Sequence, residues 1–484
     1  MFFAFPKTGR SNKIAVPHSN KNSAYDTIHC MTITAEKSSL SGHIRVPGSK
    51  SHTIRALLLA SLAEGVSHIK NPLASADCIS TFKAIPLLGA SAEMKEGEWI
   101  VNGAGSKAHL PSDVVNVGDS GSLLYFMSPI ASTFEGWSVF TGDASIRKRP
   151  VTHVVDALRQ LGAEAYITRP DASSCPMVIK GPITAENEVT TDGALSQYVS
   201  GMMMAASRLK GTLKINLTDP KETPYLTMTR KWLEDVGAKV EISSDFKKIR
   251  VEGGFKISAF DRTIPSDWEA VAYPLVAALI TDSTLVIDGV DGTGTQGDDA
   301  IVSVLQSVGA DIVWDKDSET LTVRGMKNAS DGKGFLTTKN LPNGELHVNL
   351  SGFPDAVCAL SVIACFIEGT TVLEDLGVCR KKETDRIAVL KAELSKLGAD
   401  VEEGADYLVI RGHSQVNEDG TKNAAFNLHG AQVESYDDHR VAMSLACAGL
   451  AIGGVSVKDA ECCAVSFPNF FDVMGKNGAV FAHN

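Results

Sequence analysis

Leu161-Gly162-Ala163-Glu164-Ala165-Tyr166-Ile167 reads as the last residue of a helix, a glycine turn and a short strand. A glycine just past the last apolar residue closes a helix in a left-handed turn. The alternation after it suits a half-buried strand. The same phrase recurs as LLGASAEM (87–94), VGAKVEI (236–242), VGADIVW (308–314) and LGADVEE (397–403), with a degenerate sixth copy in VMGKNGAVFA (473–482). The glycines Gly89, Gly162, Gly237, Gly309 and Gly398 lie 73, 75, 72 and 89 residues apart. A period of that length is a small folding unit repeated along the chain. Six units alternating helix and strand predict an α/β architecture.

Three charged clusters stand out against this frame. In Val46–Arg55 (VPGSKSHTIR), a Pro-Gly turn delivers Ser49, Lys50 and Ser51 to the first turn of a predicted amphipathic helix continuing through ALLLASLAEG. Backbone N–H groups and the helix dipole make that position an anion site. Ser51 and Arg55 are four residues apart and share a face, and Lys50 adds a point charge suited to phosphate. The second cluster is Lys381-Lys382-Glu383-Thr384-Asp385-Arg386-Ile387; a helix starting here puts Lys382, Glu383 and Arg386 on one face, with Ile387, Leu390 and Leu394 as the buried stripe. The third, Tyr436-Asp437-Asp438-His439-Arg440, precedes the apolar run VAMSLACAGLA. A single charge run is ordinarily a solvated face. Three of them at helix starts, spread along the chain, argue for one anion-binding cleft.

Bulk properties narrow the function. The 484 residues allow two or three domains. A net charge of −11 argues against a nucleic-acid binder and makes the basic clusters local devices. No apolar run approaches the roughly 20 residues that cross a membrane. The nine cysteines show no CxxC pair, and Cys462-Cys463 are adjacent, so neither zinc nor a disulfide framework is expected and a reducing cytoplasm is. No metal-ligand spacing and no G-x-S-x-G elbow is present. Residues 1–30 carry Lys7, Arg10, Lys13 and Lys21 without a signal-peptide core and are read as an N-terminal extension. Gly292-Thr-Gly294-Thr-Gln-Gly297 matches GxGxxG between a strand-like and a helix-like segment, but Asp298 and Asp299 would repel a pyrophosphate, so it is read as a flexible turn.

Together PGSKS, KETDR and DHR resemble the 5-enolpyruvylshikimate-3-phosphate synthases, enolpyruvyl transferases of the shikimate pathway. Val117–Ser122 (VGDSGS), Thr141–Pro150 (TGDASIRKRP), Leu195-Ser196-Gln197, Pro354-Asp355 and Ser466-Phe467-Pro468 agree in order, from about Thr32 to the end of the chain. The resemblance implies two similar domains, each of three units with helices inside and sheets outside, and a substrate cleft between them. The middle domain would be 47–254, inserted in a C-terminal-half domain of 31–46 plus 255–484. The reaction implied is transfer of the enolpyruvyl group of phosphoenolpyruvate to the 5-hydroxyl of shikimate 3-phosphate. The hydroxyl adds across the enol double bond, and phosphate leaves the tetrahedral intermediate. That chemistry needs cations, an acid for the methylene carbon and a base for the hydroxyl, and no cofactor. A monomer is implied.

By the same resemblance, Lys50, Ser51, Arg55, Ser196, Gln197, Asp355 and Lys382 would hold shikimate 3-phosphate. Lys50, Gly121, Arg149, Arg386 and Arg440 would hold phosphoenolpyruvate. Asp355 and Glu383 would be the acid-base pair, with Lys50 assisting and His439 at the catalytic centre; burial is expected to push such carboxyls toward working pH. The chain departs from the family pattern at Tyr125 (an Arg), Leu195 (a Ser), Glu222 (the Ser of S-x-P-Y, a phosphate contact) and Val465 (a Lys in some members). Leu195, Glu222 and Tyr125 keep open a same-fold enzyme acting on a different cyclic alcohol.

Overall fold

The computed structural model describes residues 31–186, 188–330 and 334–483; the expected extension 1–30 lies outside them. The described chain forms six four-stranded sheets, one per unit. In the second unit, Val115–Asn116 runs parallel to Gly136–Thr141, which pairs antiparallel with Met177–Gly181, and that with Glu164–Ile167. The third and fifth units repeat this order with their own strands. The repeat glycines all take positive φ, from 89° at Gly398 to 102° at Gly162, and the sixth copy does the same at Gly478 with φ 110°. That copy is therefore regular in conformation although degenerate in sequence.

Each unit sends one helix to the inside: Lys50–Leu62, Gly121–Ala131, Ser196–Ala205, Trp268–Ile280, Val357–Ala364 and His439–Ile452. These helices are buried on nearly every side, as their apolar composition requires. The amphipathic helix expected at Lys50 is thus a correction: from His52 to Leu62 every residue is buried. Two hydrophobic cores result, three units to each lobe.

The chain exchanges strands between the lobes. Ser41–Arg45 pairs parallel with Thr284–Asp288, and Ile33–Glu36 sits between Val455–Lys458 and Val480–His483. In return, Asp261–Thr263 pairs parallel with His68–Lys70. Ile257 and Ile264 belong to the core of the first three units, so the expected boundary after Gly254 falls too early. Core membership changes between Ile264 and Trp268. There the two connections cross, with a bridge between Gly48 and Ser266, Ser49 N–H on Pro265 O (2.7 Å) and Asp267 N–H on Pro47 O (3.0 Å).

Candidate active site

The starts of the inner helices converge on a cavity of about 660 Å³ between the lobes. Lys50 opens its helix after the Pro47-Gly48 turn, its N–H held by Asp267 (3.0 Å) and its ammonium by Asp77 (3.4 Å). Ser120 caps the Gly121 helix by accepting from Leu123 N–H. At Gly121 a side chain would strike the Arg149 guanidinium, with Nη1 2.5 Å from an added Cβ. Asp438 caps the His439–Ile452 helix through Arg440 N–H (3.0 Å). The KETDR helix begins later than expected, at Arg386, with Asp385 as its cap on Ala388 N–H (3.2 Å). Lys382 and Glu383 therefore stand in the preceding turn rather than on the helix face. Ile387, Leu390 and Leu394 are buried as expected.

Lys50, Ser51, Arg55, Gly121, Arg149, Ser196, Gln197, Asp355, Lys382, Glu383, His439 and Arg440 line this one cavity. Arg386 does not. It is fully buried behind the wall and reaches Asp355 (2.5 Å), Glu383 (2.6 Å) and Asp438 (2.8 Å) at once. In this structure it secures the two carboxylates that face the cavity, and the direct substrate contact expected of it is a proposal. Arg55 is also committed, donating to Ser51 O (2.9 Å), Thr229 Oγ1 (2.8 Å) and Tyr225 O (3.2 Å), with Phe126 beneath it.

Glu383 bonds Arg149 (2.9 Å) as well as Arg386, and Asp355 bonds Lys382 (3.3 Å) and forms an ion pair with Arg440 (3.2 Å) that is not a hydrogen bond. Burial acts to raise both carboxyls, but the surrounding cations outweigh it and hold both well below the usual range. The expected rise toward working pH is overturned: without ligand, both are ionised and poised to accept protons. Burial, with Arg440 beside it, keeps His439 neutral, and neither ring nitrogen has a hydrogen-bond partner. Lys50 is held protonated: burial opposes the charge, and Asp77 and Glu269 override it.

The structure adds groups that the motifs left out. Glu269 pairs with Arg440 and accepts from Tyr225 OH (2.6 Å). Asp298 lies 3.1 Å from the same hydroxyl; burial first, then Glu269 and Asp355, push its carboxyl well above the usual range, so it is a neutral acid. Asp119, in the VGDSGS loop, is pushed up to about 6, chiefly by burial and then by Asp77. The signal for Glu269 was Asp267-Trp268-Glu269 at the head of an otherwise apolar helix. In the GxGxxG segment Asp291 accepts from Thr293 N–H (2.9 Å) and Gln296 (3.0 Å), and Asp298 lies buried beside the Tyr225 hydroxyl. Of the departures, Tyr125 is a core residue donating to Pro150 O (2.8 Å), and Leu195 packs against the core. Among them only Glu222 and Val465 line the cavity. Among the described residues no group of His, Cys, Asp and Glu could hold a metal ion.

Two lobes of three units each, with helix starts gathered on a cleft of paired cations and carboxylates, define the enolpyruvyl-transferase fold. The EPSP synthase of Acinetobacter baumannii superposes with a TM-score of 0.76 over 94% of this chain and 100% of that one, at 26% identity. The enolpyruvyl transferase NikO of Streptomyces tendae shares the fold at 17% identity, with a TM-score of 0.71 over 94% and 99% of the two chains. The EPSP synthase (3-phosphoshikimate 1-carboxyvinyltransferase) family matches residues 34–474. The 3-phosphoshikimate 1-carboxyvinyltransferase of Ruminiclostridium cellulolyticum is 38% identical over 443 residues, 91% of this chain and 97% of that protein. The namesake from Methanococcus maripaludis is 33% identical over 455 residues, 93% and 99% of the two chains. The chain belongs to the EPSP synthase family.

Proposed function

We propose that this protein transfers the enolpyruvyl group of phosphoenolpyruvate to the 5-hydroxyl of shikimate 3-phosphate and releases phosphate, in the route to chorismate and the aromatic amino acids. The observation that carries the reading is the convergence of Lys50, Arg149, Lys382 and Arg440 on one cavity with the ionised Asp355 and Glu383. Arg149 and Arg440 offer planar donors to the carboxylate and phosphate of phosphoenolpyruvate. When those anions take the guanidinium groups, the hold on Glu383 and Asp355 weakens and their proton affinity rises. The pair then works as base for the acceptor hydroxyl and as carrier of the proton that reaches the methylene carbon. Lys50, with its ammonium kept charged, stabilises negative charge on the leaving phosphate. No cofactor enters the scheme. The reading includes a monomer working in the cytoplasm, with buried free thiols suited to a reducing compartment; among the described residues no helix is long and apolar enough to cross a membrane.

One observation favours a second reading, transfer to a different cyclic alcohol: the Glu222 carboxylate lies at the acceptor end of the cavity. Phosphate release by purified protein separates the two. Release that requires both phosphoenolpyruvate and shikimate 3-phosphate, and falls at least about 100-fold in Glu383→Gln, supports the first reading. No release by folded protein moves the assignment to another acceptor.

A further inference from the structure

Glu222 occupies a cradle built for an oxyanion. Its Oε2 accepts from the Ser196 N–H (3.1 Å) and the Ser196 hydroxyl (2.9 Å), and its Oε1 accepts from the Lys382 ammonium (2.8 Å). A backbone N–H at the first turn of the Ser196–Ala205 helix, a hydroxyl and a nearly buried ammonium are the donors that a phosphate or carboxylate ligand would use. Here the chain supplies the anion itself, on a side chain only 1% exposed. The residue is fixed in place. Its N–H donates to Ser351 O (2.8 Å) in the other lobe, and its φ is 51°, in the left-handed region that a side-chain-bearing residue rarely adopts. A second anion brought to the same three donors would meet this charge at contact distance in a partly dry cavity, where repulsion is poorly screened.

We propose that Glu222 is the specificity-determining residue at the acceptor end: an internal carboxylate that the acceptor's phosphate has to displace from Ser196 and Lys382. The site thereby loses much of the advantage that a phosphorylated acceptor would otherwise have over the same ring alcohol without phosphate. This rests on the acceptor reading given above.

Calorimetric binding of shikimate 3-phosphate and of unphosphorylated shikimate to the full chain tests it, in the wild type, Glu222→Gln and Glu222→Asn; asparagine tolerates the left-handed backbone. Removing a like charge at contact distance is expected to raise affinity for shikimate 3-phosphate at least about tenfold in both variants, with shikimate changed by less than about threefold. The wild type itself is expected to prefer the phosphorylated ring by no more than about tenfold. A larger preference in the wild type overturns the proposal, as does unchanged or weaker binding of shikimate 3-phosphate in folded variants. Phosphate release is measured alongside: wild-type protein that binds the phosphorylated ring but never releases phosphate defeats the proposed reaction, while the binding series still decides the role of Glu222.

Discussion

Arg386 carries more of the site than any substrate-facing residue. Its guanidinium is the common partner of Asp355, Glu383 and Asp438, all within 2.8 Å. Removing it leaves three carboxylates without their shared counter-charge, and uncompensated buried charge costs about 3–5 kcal/mol. Arg386→Met is expected to lose that much stability by urea denaturation and to be inactive; Arg386→Lys, with a point charge in place of a fork, should recover stability only in part. His153 gives a cleaner pH signature. It lies between the rings of Tyr125 and Tyr198, and burial lowers its pKa to about 4. Its charged form is disfavoured in the fold, so stability is lost as pH falls from about 6.5 to about 4, at up to ~1.4 kcal/mol per pH unit. Asp267 works in the opposite sense: burial, then Glu269, raises it to about 7, so it gains its proton on folding and adds stability as pH falls below that. The difference between wild type and His153→Phe cancels the Asp267 contribution. Chemical denaturation at pH 7 and pH 5 should show the variant gaining about 2 kcal/mol relative to wild type, and an equal difference at both pH values would refute the assignment.

The elements meet at a second set of glycines. At Gly103, Gly181, Gly253, Gly325 and Gly412 an added Cβ would come within 3 Å of carbonyl oxygens near the C-terminal end of the inner helix of the same unit. Five of the six units thus press a strand end onto a helix end where no side chain fits. This repeat did not stand out in the sequence because the chain has 42 glycines and the interval from the turn glycine varies. The inner helices themselves touch at Gly201, where a Cβ would collide with Tyr125 O and lie 2.9 Å from Phe126 Cα. Gly201→Ala gains helix propensity but forces two inner helices apart. It is expected to destabilise by about 1–3 kcal/mol, as overpacking does, and a denaturation midpoint at or above wild type would show that the contact relaxes freely.

At the scale of the whole molecule, the cleft is closed by polar pairs that reach from lobe to lobe: Arg149 to Glu383 (2.9 Å), Lys382 to Glu222 (2.8 Å), Lys221 to Asp375 (2.9 Å) and Tyr225 to Glu269 (2.6 Å). Nine acidic side chains line the cavity against eight basic ones. An anionic ligand that takes these cations has to exchange the site's own carboxylates off them. A ligand that takes Arg149 and Arg440 raises the proton affinity of Glu383 and Asp355, so binding is expected to take up protons below neutral pH. Calorimetry with phosphoenolpyruvate alone, which does not turn over, at pH 6 in buffers of different ionisation enthalpy should report that uptake, and less of it in Glu383→Gln. Heat independent of the buffer would mean that the carboxylates keep their charge throughout.

The glycine turns, spaced 72 to 89 residues apart, and the charged clusters at three helix starts were enough, read in the sequence, to give the repeated α/β unit and twelve of the 31 residues that line the cavity. These are local facts: a left-handed turn needs glycine, and a helix start presents N–H groups whatever the rest of the chain does. Which cations stay open to a ligand was decided only by the tertiary structure. Arg386 sits behind the wall, Tyr125 and Leu195 turn into the core, Glu222 and Glu269 come into the cleft from separate segments of the chain, and Asp298 lies buried behind Tyr225. Charge pairing depends on distance in space, and the exchange of strands at Gly48 and Ser266 sets those distances.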